Sequence, residues 1–142
     1  MFSKTKHLPI LIILLISLVV GIFTFQDYGM TWDENLYYQY GEAIGYAYSI
    51  PAHLSSDFDI NRAYGPSVGD HKVYGPVYLL ITRIPVLALR SITGLDIFSL
   101  WHLFNFITFL IGVYYLYRLA LRWLKPNAAF WTTLLYLSQP LL

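Results

Sequence analysis

The sequence predicts an all-α, polytopic integral membrane protein, and three observations predict it. Of 142 residues, 57% are hydrophobic and only 12% are charged, against about 25% charged in an ordinary soluble domain. Mean hydropathy is +0.53. The apolar residues also fall in long blocks rather than at amphipathic spacing, which is the pattern of helices meeting lipid. The net charge of +1, with no basic cluster, excludes nucleic acid as a partner on electrostatic grounds. Cysteine is absent, which excludes disulfides, thiolate nucleophiles and Cys-based zinc sites.

The first predicted span covers residues 8–26, uncharged through Phe25 and preceded by Lys4, Lys6 and His7. It is longer than a signal-peptide core and lacks a small-residue cleavage site, so it reads as an uncleaved anchor. The lysines put the N-terminus in the cytoplasm. Residues 27–73 then form an outer loop with seven acids and two bases, Arg62 and Lys72. Its first half, 32–50, reads as an interfacial amphipathic helix. Thr31 and Glu34 have capping-box spacing, and Trp32, Leu36, Tyr40, Ala43, Ile44 and Ala47 recur at helical intervals. Tyr37, Tyr38, Tyr40, Tyr46 and Tyr48 suit the headgroup level. Pro51 is expected to end this helix, and the turn formers after it predict a loop.

A second, short span is predicted over 74–90, opening at Tyr74-Gly75-Pro76 and closed by Arg90. A third covers 97–117, and a partial span covers 128–142. With about 20 residues needed to cross, that last block looks cut within a span, as in the N-terminal part of a larger multi-span domain. One feature opposes this layout. If every block crosses once, Arg118, Arg122 and Lys125 fall outside, whereas the positive-inside rule prefers them in the cytoplasm.

The candidate site begins with the adjacent acids Asp33 and Glu34. One reading is structural: Glu34 completes the capping box, and acids in a first turn are favoured by the helix dipole. The other is chemical: Asp33, kept ionised at the membrane edge, takes a proton from an acceptor or holds a cation. The two are compatible. Arg83 lies inside a predicted span, where an arginine costs at least ~2.5 kcal/mol and marks a functional candidate unless its side chain snorkels to an interface. His102 and Asn105 share a helical face, for which hydrogen bonding between helices is the favoured reading. His53 and His71 with Asp57, Asp59 and Asp70 match no metal-ligand spacing. A divalent metal is compatible with the sequence and not required by it, so the cofactor stays undetermined.

An N-terminal apolar span, then Gly-Met-Thr-Trp-Asp-Glu at 29–34 leading into a Tyr-rich helix, resembles the start of the GT-C superfamily. These are glycosyltransferases that use polyprenol-phosphate sugars, among them protein O-mannosyltransferases and aminoarabinose transferases. The resemblance implies that Asp33 and Glu34 are the acidic motif of the first outer loop. Where the family tends to carry a His-Pro-Pro motif entering its second span, this chain has His71-Lys72-Val73-Tyr74-Gly75-Pro76. The implied activity is transfer of a sugar from a polyprenyl-phosphate donor to a lipid, glycan or protein acceptor at the outer face of the cell membrane. Phosphate is a good leaving group, so one base suffices, unlike the two carboxylates of glycoside hydrolysis. Asp33 would be that base with Glu34 in support, and His71, Lys72, Tyr74 and Arg83 would serve the donor, its phosphate needing cations. The alternatives are a transporter or a non-catalytic polytopic protein with a partner-binding outer loop, and an inactive fragment.

Overall fold

The computed structural model describes residues 6–32, 34–64 and 75–139, and among these every regular element is a helix. In chain order they are α1 (Leu8–Thr24), α2 (Glu34–Ala47), α3 (Ile50–His53), α4 (Ile60–Tyr64), α5 (Val77–Thr93), α6 (Ile97–Ala120) and α7 (Pro126–Leu137). They divide into two compact units. One comprises Met1–Gln26 and Leu103–Leu142; the other is Asp27–His102. The chain of α6 begins in the second and continues in the first.

In the first unit α6 runs antiparallel to α1. The His7 ring, at the start of α1, stands 5.8 Å from that of Tyr117 and 6.2 Å from that of Tyr114, near the end of α6. The Tyr117 hydroxyl donates to the Lys6 carbonyl. At the other end of α1, Gly21 lies so close under the Phe106 ring that a Cβ there would collide with it. Small residues of this kind let helices approach closely. From α7, Ala129 joins Ile10 and Tyr117 in a fully buried cluster. α1 buries only Ile10 and Gly21, and apart from Ser17 and Thr24 the rest of its surface is apolar, with Leu15 61% and Phe23 80% exposed.

By length and composition, α6 is the one helix among the described residues that meets the usual requirement for a membrane span; α1 is apolar and, at 17 residues, stands at the short limit of one. α6 begins where expected and runs three residues further, taking Arg118 into its last turn, where a cation is favoured by the helix dipole. Its start is set by Asp96, whose Oδ1 accepts from the Phe98 and Ser99 N–H groups at 2.8 and 3.2 Å. α7 starts at Pro126, in its first turn, two residues earlier than the apolar block.

In the second unit α2 packs on α4 and α5. Tyr40, Gly41, Ile44 and Ala47 form its buried face. Trp32, expected on the same stripe, precedes the helix and is 97% exposed. Two tyrosines expected at the headgroup level are interior instead. Tyr38 stacks on Trp101, with centroids 5.3 Å apart, and the Tyr40 hydroxyl meets that of Tyr48 at 3.1 Å. Such rings bury large area while keeping a polar handle, so a covering helix suits them as well as a headgroup layer does.

Pro51 does not terminate α2, which already ends at Ala47. It opens α3, with Ser49 as N-cap accepting from Ala52 N–H. The segment expected as loop contains α4, capped by Asp59, which accepts from Asn61 and Arg62 N–H at 2.8 and 3.2 Å. α5 likewise passes Arg90 and ends at Gly94, whose φ of 69° closes the helix with a bond from its N–H to the Arg90 carbonyl. Arg90 pairs instead with Glu42 of α2 at 3.6 Å.

Candidate functional site

Glu34 is the first residue of α2, and its carboxylate is held from two directions. The Thr31 N–H donates to Oε2 at 3.0 Å, the glutamate half of a capping box. His102, on the first third of α6, reaches the same oxygen through Nε2 at 3.0 Å. An ionised carboxylate only accepts, so Nε2 carries the shared proton. The pair is largely shielded, with side-chain exposures of 23% for Glu34 and 11% for His102.

Aromatic rings shape the surroundings. Tyr28 and Tyr38 meet the imidazole edge-on at 6.3 and 6.4 Å, and Tyr38 is in turn tilted against Phe98. Gly41 leaves room for Trp101, whose Cζ2 would be 3.0 Å from a Cβ at that position. The site is therefore built on two helices and rigid rings. His102 Nδ1 is buried with no partner among the described residues, which suits the tautomer that has its proton on Nε2.

Two opposing influences act on the Glu34 carboxyl. Burial, the largest, pushes its pKa up; the His102 bond, the Thr31 N–H and the Thr31 hydroxyl together outweigh it. The result lies below the ordinary value of 4.5. Glu34 is thus anionic at neutral pH and anchored, as an orienting group requires.

Arg83 is not part of this constellation. Its guanidinium passes over Gly45 of α2, with Nη1 3.6 Å from where a Cβ would stand. Gly45 is eleven residues along α2 from Glu34, or about 16 Å at helical rise. Arg83 Nε is buried and has no partner among the described residues. Asp33, His71, Lys72 and Tyr74 lie outside the described residues, as does Asp70.

Of the loop groups weighed as metal ligands, His53 bonds the Ala47 carbonyl at 2.7 Å and stacks on Phe58, while Asp59 caps α4. No group of three ligating side chains occurs among the described residues. Asn105 is exposed on α6. His102 makes the expected bond between helices, and its partner, Glu34, is what sequence reasoning missed. The signal was a histidine in an otherwise apolar helix, which needs a polar partner once shielded.

Comparison of this chain with protein-family models, with curated proteins and with solved structures found no match in any of the three.

Proposed function

We propose that this chain carries the acidic first-loop element of a membrane glycosyltransferase that uses a polyprenyl-phosphate sugar as donor. The observation that carries the reading is the doubly held Glu34. An ionised carboxylate is fixed at the start of α2 by His102 and Thr31, and Asp33 is the residue beside it in the chain. A base that must meet an acceptor hydroxyl within hydrogen-bond reach needs such a support.

The reaction is a single displacement. Asp33 takes the acceptor's hydroxyl proton, the freed oxygen bonds to C1 of the sugar, and the C1–O bond to phosphate breaks. Polyprenyl phosphate departs as an anion, so no acid is required. Lys72 neutralises that phosphate, with His71 and Tyr74 close by in sequence. Arg83, distant from Glu34 along α2, contributes to donor binding away from the reacting carbon. The apolar outer surface of α1 supports a membrane setting, because a soluble protein rarely exposes a contiguous patch of that extent. Outer-face placement of the acidic element follows from the lysines preceding α1.

The test is sugar transfer from a labelled polyprenyl-phosphate donor in membranes containing the protein. Asp33→Asn abolishes transfer while expression and insertion stay at wild-type levels. Wild-type turnover in that variant would remove the catalytic role and leave helix initiation as the whole reason for the acidic pair.

A further inference from the structure

A second cluster of polar groups lies in the other unit, whose segments contain none of the residues assigned to sugar transfer. A cavity of about 350 Å³ is lined by Lys6, His7, Tyr114, Arg118, Leu121 and Arg122. Three permanent cations and an imidazole thus converge from the start of α1 and the end of α6. All eight acids of the chain fall between Asp27 and Asp96, so neither segment of this unit contains one. No ion pair among the described residues involves Arg118 or Arg122.

Two further features favour an anion. His7 sits at the N-cap of α1 and makes no side-chain bond to its first turn, leaving the positive end of the helix uncapped. His7 Nδ1 is buried and has no partner among the described residues. Compensation of the α6 C-terminus accounts for Arg118 in the last turn. It does not account for bringing Lys6 and His7 to the same cavity from another helix.

We propose that this cavity binds a phosphate-bearing group, with the headgroup of an anionic phospholipid as its source. The antiparallel pairing puts the bases that precede α1 and those that end α6 at one end of the pair. If α1 leaves the cytoplasm, α6 returns to it, and the positive-inside rule is met by both ends together. The conflict that arises when every apolar block crosses once then disappears, since residues 27–96 begin and end on the same side. Basic pockets between helices at the cytoplasmic surface are where anionic headgroups bind. Tyr114 and Leu121 supply the apolar wall that a lipid needs and a free ion does not.

The test reconstitutes the full chain in nanodiscs of phosphatidylcholine, with or without phosphatidylglycerol, and follows thermal unfolding and lipid retained in native mass spectrometry. Phosphatidylglycerol is expected to raise the midpoint of the wild type and to be retained, both effects fading with added salt. In Arg118→Gln/Arg122→Gln the apparent lipid affinity falls about thirtyfold, while Lys125→Gln, outside the cavity, keeps most of it. An equal midpoint shift from inorganic phosphate alone would retain the phosphate site and overturn the lipid as its source. Equal retention by wild type and double variant overturns the site. Should the double variant fail to fold, salt-independent retention by the wild type overturns it as well.

Discussion

Glu34 and His102 stand 68 residues apart in sequence and share a hydrogen bond of 3.0 Å. That bond ties the first turn of α2 to α6 inside one compact unit. It also joins two facts of the sequence, an acidic pair at a helix start and a histidine in an apolar helix. Each needed the other. The carboxylate gains a charge-assisted donor, and the imidazole gains the partner its shielding demands.

Glu34→Gln should therefore cost about 1–3 kcal/mol, the range spanned by a helix cap and a charged hydrogen bond. The accompanying pH dependence has a definite sign. The folded-state pKa of Glu34 is lowered from 4.5, so its stabilisation is complete above the unfolded value and is lost as pH falls through the folded one. Asp96 behaves alike: burial pushes it up, but the Ser99 hydroxyl and the Ser99 and Phe98 N–H groups bring it below 3.8. Thermal midpoints between about pH 7 and about pH 3 should decline in the wild type and decline less in Glu34→Gln. An identical slope in both would show that the pair contributes nothing to acid stability.

The glycines of α2 should separate by what lies above them. At Gly45 a Cβ makes ordinary contact with the Arg83 guanidinium, 3.6 Å away. Gly45→Ala should gain up to about 1 kcal/mol from helix propensity. At Gly41 the Cβ would stand 3.0 Å from Trp101, a ring only 1% exposed and unable to yield. Gly41→Ala should lose about 1 kcal/mol net, overpacking exceeding the propensity gain. Chemical denaturation in micelles of the two variants beside the wild type decides it.

Local chemistry made much of this fold legible. Pro and Gly punctuation, apolar runs and the Thr31-x-x-Glu34 pattern located α1, α2 and α6 to within a few residues. α5 was less exact because Arg90 resembled an interfacial stop, whereas Glu42 of another helix occupies it. Composition points Tyr38 and Tyr40 to the headgroups because it cannot distinguish a lipid surface from a covering helix. That His102 bonds another helix is legible in the sequence; that Glu34 is its partner is not, because it depends on which helices meet, and no local spacing encodes that. Asp96 was legible in principle, being an acid just before an apolar run.

Arg83 should show stability and function moving in opposite directions. Its Nε is buried and unpartnered among the described residues, so Arg83→Leu should leave thermal stability unchanged or raised. Under the proposed function, its distance along α2 from Glu34 gives it a part in donor binding rather than in bond breaking. The KM for the polyprenyl-phosphate donor should then rise about ten- to hundredfold with kcat unchanged, the signature of binding felt equally in ground and transition states. A fall in kcat at constant KM would contradict that assignment.

The absence of cysteine allows a direct test of sidedness. Single cysteines at Lys6 and Lys125 should react with an impermeant maleimide from the same side of sealed vesicles. A cysteine at Asp57 should react from the other. Lys6 and Lys125 on opposite sides would mean that α1 and α6 do not return the chain to its starting face.

The contact between Gly21 and Phe106 offers the sharpest check on how α1 and α6 meet. A methyl group at Gly21 would run into the Phe106 ring, and overpacking of this kind costs about 1–3 kcal/mol. Phe106→Leu alone should cost less, since that ring is only half-buried. If the clash is what matters, Gly21→Ala combined with Phe106→Leu should be more stable than the sum of the single changes requires, by at least ~1 kcal/mol. Two positions that never touch would give additive losses. A double-mutant cycle by unfolding in micelles distinguishes the two, because Gly21 and Phe106 face each other only if α1 and α6 are antiparallel in this register.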